Sequence, residues 1–136
     1  MSLSPTTHAR RTVLAALRAE SAVTDRIPAE SLYPGKTSHS PTLPFGRYGA
    51  SESDPERYAG WRGGDVSGSM HIFVGQSEAI PDPEAWCGDT VDVIASTLDE
   101  LPDCLIDRTQ VMADAQEPDV WHGIVFFTLK AIEELA

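Results

Sequence analysis

Four histidines (His8, His39, His71 and His122), two cysteines (Cys87 and Cys104) and one Gly-Lys-Thr run are the side chains of this 136-residue sequence best suited to chemistry. No two histidines form an HxH or HExxH pair. No carboxylate or cysteine completes a metal-ligand cluster at a recognised spacing. His71 and His122 both fall in segments that read as strands. If those strands pair, the two rings become neighbours on the face opposite the main apolar residues. Such a pair can hold a metal, but hydrogen bonding at a surface or interface is the commoner use. Gly35-Lys36-Thr37 matches the end of a phosphate-binding loop, yet the glycine required five residues earlier is Glu30. A following helix is also required, and Pro41 and Pro44 come next.

Nucleophiles fare no better. Cys87 lies on the apolar stripe of a helix, a poor setting for an activated thiolate. Nothing indicates an oxidising compartment, so both cysteines read as free thiols, buried or half-buried. Ser69 follows Gly68 inside a strand, not at a strand-to-helix turn. The many carboxylates lack a visible pocket that would raise one pKa for acid–base work. We therefore expect no enzyme, and assign no catalytic, cofactor-binding or metal residues.

The length suits one domain, residues 1–136, with a single core. The formal net charge is -11 and is unevenly placed. Residues 1–75 carry eight Lys/Arg and seven Asp/Glu; residues 76–136 carry two and fourteen. So acidic a surface repels phosphate and argues against tight nucleic-acid binding. The same repulsion would let DNA slide past without sticking, or simply keep the protein soluble. The longest apolar stretch, Gly123 to Phe127, is far short of the roughly 20 residues of a membrane span. Met1 to Thr7 has no basic segment leading into an apolar one, so no secretory signal is expected.

The elements that must position these residues follow from periodicity. Ser4-Pro5 reads as an N-cap with proline at the first helical position, and Ala9, Val13, Ala16 and Leu17 recur at helical spacing. Val23 and Ile27 continue the apolar edge to Pro28. Four prolines in 28–44 make that stretch largely an extended loop, with Leu32-Tyr33 as a possible short strand. Phe45 to Ala50 reads as a strand. Residues 51–64, polar and glycine-rich with Tyr58 and Trp61, read as a long functional loop. Val66 to Val74 alternates as a strand, with Met70, Ile72 and Val74 on one face. Asp82 caps a second helix begun by Pro83, whose stripe is Cys87, Val91, Ile94, Ala95 and Leu98. Strands near Cys104–Met112 and Val120–Ala131 close the chain. This order predicts an α+β fold: a mostly antiparallel sheet of about four strands, two helices on one face, and a long loop after the first strand.

The sequence resembles a family of small phage tail-completion proteins, long catalogued as a domain of unknown function and grouped with tail terminators. The resemblance covers nearly the whole length. It rests on the N-terminal helix leading into Ala22-Val23-Thr24-Asp25-Arg26-Ile27, then Leu32-Tyr33-Pro34 and Leu43-Pro44-Phe45-Gly46-Arg47-Tyr48-Gly49. Met70-His71-Ile72-Phe73-Val74, the helix around Val91 to Leu98, and Trp121-His122-Gly123-Ile124-Val125-Phe126 complete it. Where the family often has a histidine before the central strand and a tryptophan at its end, this chain has Gly68 and Gly75.

What the resemblance implies is a virion structural protein of a phage or gene transfer particle. It would be made in the bacterial cytoplasm and assembled at the tail–neck junction. It would form a homo-oligomeric ring, typically a hexamer, that caps the tail tube and joins it to a neck or connector protein. DNA would pass through without specific binding, and no membrane is involved. A ring needs two different patches per subunit. Large rings on a long loop suit such contacts, so the expected interface residues are Tyr48, Tyr58, Trp61 and Arg62. A head–tail connector or head-closure protein is the nearest alternative. A small α+β ligand-binding domain or enzyme is the alternative from another class, and it predicts a deep pocket with converging polar groups.

Overall fold

The computed structural model describes residues 4–37, 39–58 and 61–134, with backbone alone for 53–58, 61–63 and 131–134. Helix α1 spans Pro5–Ala19. Ser4 Oγ accepts a hydrogen bond from the Thr7 N–H at 3.2 Å, and Pro5 occupies the first turn, where no N–H is needed. Ala9, Val13 and Leu17 are fully buried, as their spacing requires. The helix ends at Glu20, whose side chain then caps the single turn α2 (Ser21–Thr24). Val23 and Ile27 follow into the core. A short 3-10 turn over Ala29–Ser31 leads to β1 (Leu32–Tyr33). Arg18 Nη2 donates to the Leu32 carbonyl at 2.6 Å and ties α1 to that strand.

The remaining strands are β2 (Phe45–Tyr48), β3 (Glu52–Tyr58), β4 (Trp61–Gly75), β5 (Cys104–Ala113) and β6 (Val120–Glu134), with α3 (Pro83–Asp99) between β4 and β5. The sheet thus has six strands where about four were expected, and it is mixed, because β1 pairs with β2 in parallel. All other pairings are antiparallel. β2 pairs with residues 70–73 of β4, and β3 with residues 61–67 of the same strand. These two therefore lie end to end along one edge of β4, with the Gly49 N–H bridging to the Ser69 carbonyl at 2.7 Å between them. The sheet is consequently five strands wide, in the order β1, β2 with β3, β4, β6, β5.

This corrects the long loop at 51–64. Its composition disfavours strand, but β4 offers a row of backbone groups that β3 satisfies, and Pro55 is tolerated because β3 is an edge strand. Beyond the last core pair, Val66 with Leu129, β4 and β6 stay in register for five more residues, to Trp61 with Glu134. At about 3.3 Å per residue that ribbon adds roughly 16 Å. With β3 alongside, it forms a three-stranded arm.

The helices pack on one face of the sheet. Met70 and Ile72 from β4, with Val125, Phe127 and Leu129 from β6, meet Val13, Leu17, Val91, Ile94 and Leu98. α3 starts at Asp82, whose carboxylate accepts from the Ala85 N–H at 3.2 Å. Thr90, fully buried on the same helix, donates to the Trp86 carbonyl and accepts from Arg26 Nη1 at 3.1 Å, which locks α2 against α3. Cys87 is buried, Cys104 is half-buried and both are free; burial pushes each thiol up to about 11, so both stay protonated. Among the described residues, no helix is long and apolar enough to cross a membrane.

Candidate functional site

Alternation along each strand decides what the other face of the sheet carries. Since Met70, Ile72 and Val74 face the helices, Ser69, His71 and Phe73 face away. The same rule places Phe45 and Arg47 of β2 and His122, Ile124 and Phe126 of β6 on this outer face. The antiparallel register then sets Phe45 beside Phe73, and Phe73 beside His122. The rings follow suit. Tyr33 meets Phe45 edge-on at 6.1 Å, Phe45 stacks on Phe73 at 4.9 Å, and Phe73 stacks on His122 at 4.3 Å. Arg47 lies over Phe73 at 4.9 Å and Arg108 over Phe126 at 4.3 Å. An aromatic row with cations laid across it thus crosses four strands where no helix covers them.

A polar chain runs beside this row. Ser69 Oγ is 2.9 Å from His71 Nε2, and His71 Nδ1 is 2.8 Å from His122 Nε2. His122 Nδ1 lies 4.0 Å from the Asp114 carboxylate. One consistent assignment has Ser69 donating to His71, His71 donating to His122, and the His122 Nδ1–H turned toward Asp114. The expectation that the two histidines meet when their strands pair is met. The order serine–histidine–histidine–carboxylate resembles an activated nucleophile, but access is missing. A side-chain carbon on Gly49 would lie 2.3 Å from Ser69 Oγ and 2.6 Å from His71 Nε2, so backbone already closes that approach. Ser69 is itself buried. The group is a hydrogen-bonded network that pins β4 to β6. Among the described residues, no three His, Cys, Asp or Glu side chains gather as a metal site.

Burial, the neighbouring His122 and the Arg47 charge lower His71 to about 4. His122 is also lowered, by burial first and by Arg47, with Asp114 opposing. Both groups therefore prefer the neutral form in the folded chain. The unfolded chain, with ordinary histidines near 6.5, takes up more protons below that pH. The contribution of His71 to stability is complete above about pH 6.5 and is lost as pH falls toward about 4, and His122 acts in the same direction. We expect wild type to lose more Tm than His71→Gln between those two pH values, with the two curves parallel above pH 7. Thermal melts of both proteins across the range check this. Parallel curves throughout would show that His71 does not change its protonation on unfolding.

Two cavities flank the network. One, of about 740 Å³, lies over the aromatic row between the 35–43 loop and the 114–117 turn. The other, of about 570 Å³, opens at the start of α1 and is lined by Thr6, Thr7, Arg10, Lys36, Arg47 and Ser51 among others. Gly35, Lys36 and Arg47 contribute to both. The Gly-Lys-Thr run is followed by loop rather than helix, as its reading against a phosphate-binding loop requires.

The expected interface residues separate. Tyr48 is 4% exposed, its hydroxyl bonded by Ser51 Oγ at 2.8 Å and its ring 6.0 Å from Phe127. It belongs to the core of its own chain, because β2 turns it toward the helices. The backbones of Tyr58, Trp61 and Arg62 sit at the tip of the arm, where Tyr58 pairs with Trp61 and Arg57 with Arg62. Their side chains lie outside the described residues. The basic lining of the smaller cavity was not anticipated. Arg10, Lys36 and Arg47 are far apart in sequence, and only the tertiary structure brings the start of α1, the loop after β1 and strand β2 around one cavity.

No family model matches the chain, and no curated protein does. Among solved structures, a chain from the virion of a native gene transfer agent (GTA) particle has the same fold. Its TM-score is 0.73 at 10% identity, over 97% of this chain and 100% of that one.

Proposed function

We propose that this chain is a structural subunit of a phage or gene-transfer particle, working in the tail-terminator ring that caps the tail tube and joins it to the neck. The observation that carries this reading is the end-to-end fold correspondence with a chain of a gene transfer agent virion, with almost nothing left over on either side. The physical design suits it. A ring that closes by rotation needs two different patches on each subunit. The outer sheet face with its stacked rings is one candidate, and the arm bearing Tyr58, Trp61 and Arg62 is another. The acidic second half of the chain suits a passage through which DNA moves without adhering.

The test is polymerisation of the particle's own tail-tube protein in the presence of this chain. Tube growth should stop once the chain is added, and electron microscopy should show a ring at one tube end. A chain that ignores the tube but binds portal or adaptor protein is a connector, and the terminator reading is then wrong. Removing the arm's side chains with Tyr58→Ala and Trp61→Ala together should reduce tube capping while leaving the melting curve of the isolated chain nearly unchanged.

A further inference from the structure

The cavity at the start of α1 is anomalous in so acidic a protein. Arg10, Lys36 and Arg47 line it together with hydroxyls, and among the described residues no Asp or Glu does; Lys36 and Arg47 also border the larger cavity, where Asp114 and Glu117 lie. Among the described residues, none of these three cations has an ion-pair partner. Carboxylates outnumber Lys and Arg by 21 to 10 in the sequence, so three cations lining one cavity with no described carboxylate among them form a site suited to an acidic group. The positive field is felt nearby: burial is the main cause lowering His71 and His122, and the Arg47 charge adds to it, while burial raises the Tyr48 hydroxyl against a lowering contribution from Arg10.

A complementary surface is present elsewhere on the same chain. α3 contains no Lys or Arg. Its exposed Asp89, Asp92 and Asp99 share the side turned away from buried Cys87, Val91, Ile94 and Leu98, and Glu100 extends the row. None of these acids has an ion-pair partner among the described residues either. The two surfaces are far apart in the fold. The cavity lies by β1 and β2 at one edge of the sheet, while α3 packs over β5 and β6 at the other. One molecule cannot satisfy both from its own groups, but a row of copies can.

We propose that the Arg10–Lys36–Arg47 cavity receives the acidic face of α3 from a second copy of this chain. The contact is heterologous, because the two patches differ, and repetition by rotation closes a ring. The proposal rests on the ring reading above and names one of its contacts.

The experiment is sedimentation velocity on the full chain at low and high salt, with two variants. One carries Arg10→Glu and Lys36→Glu; the other carries Asp89→Lys and Asp92→Lys. Lys36, Asp89 and Asp92 are exposed and Arg10 is half-buried, so both variants should fold, which circular dichroism checks. Wild type should self-associate at about 50 mM salt and dissociate as salt rises. Each variant alone should associate at least about tenfold more weakly. Mixing the two variants should restore association, since every junction in an alternating row again pairs opposite charges. Wild type that stays monomeric at low salt through millimolar concentration, or a mixture that stays apart, would overturn the proposal. So would a short DNA duplex that binds wild type and is lost from the Arg10→Glu, Lys36→Glu variant, since the cavity would then be a phosphate site. Tube capping is read in parallel. Variants that cap tubes at wild-type strength refute this contact and leave the terminator reading standing. Restored association without capping refutes that reading and leaves this contact standing.

Discussion

Phe127→Ala should lower the unfolding free energy by about 3–5 kcal/mol, the usual range for emptying a fully buried aromatic site. Phe127 has no exposure and is the largest fully buried side chain of the core. Its ring lies 6.0 Å from Tyr48, and it touches the place where a side chain on Gly68 would stand, with its ring carbon 2.8 Å from that position. It sits mid-strand on β6, between β4 and β5, so hydrogen bonds on both sides prevent the backbone from moving in to fill the gap. A domain of this size has only about 5–15 kcal/mol to lose. Urea denaturation is the measurement, with the midpoint falling and the slope unchanged. A loss below about 1 kcal/mol would mean that the site collapses freely and that Phe127 is not the centre of the core.

The second large effect comes from adding an atom instead of removing several. Gly123 of β6 faces α3, and a side-chain carbon there would lie 2.5 Å from Val91 Cγ2 and 2.8 Å from Cys87 Sγ. Elsewhere in a strand, glycine to alanine is often stabilising, by roughly 0.5–1 kcal/mol of chain entropy. Here the neighbours reverse the sign. Val91 is β-branched with a stiff χ1, is 1% exposed, and has no free rotamer to retreat into. Gly123→Ala must push α3 away from the sheet, which should destabilise by about 1–3 kcal/mol. Val91→Ala alone should also destabilise, by opening a cavity. The double variant should be more stable than the sum of the two losses, because the new methyl fills part of that space. Strict additivity in urea melts of all four proteins would show that α3 and β6 do not meet at this point.

These effects bear on assembly as well as on folding. A ring subunit presents surfaces that its core must hold still, and α3 carries the acids of the inferred contact. A shift of α3 caused at Gly123 should therefore weaken self-association even where the chain remains folded. The Gly123→Ala protein offers that comparison in the same sedimentation experiment.

Local rules were enough for the sequence to announce α1, α3 and the alternating centres of β4 and β6. Caps such as Ser4 and Asp82, and stripes such as Cys87, Val91, Ile94 and Leu98, act within a few residues of themselves. Alternation alone put His71 and His122 opposite the apolar residues, and pairing them needed only that β4 meet β6. The tertiary structure decided what depends on a partner strand. Pro55 and the charges of Glu52, Asp54, Glu56 and Arg57 hide the strand character of 52–58, which exists because β4 supplies the hydrogen bonds. Tyr48 sits beside that loop in sequence, yet the pleat of β2 turns it into the core. Arg10, Lys36 and Arg47 carry no shared pattern along the chain; a cavity is a property of surfaces brought together, and no local period encodes it.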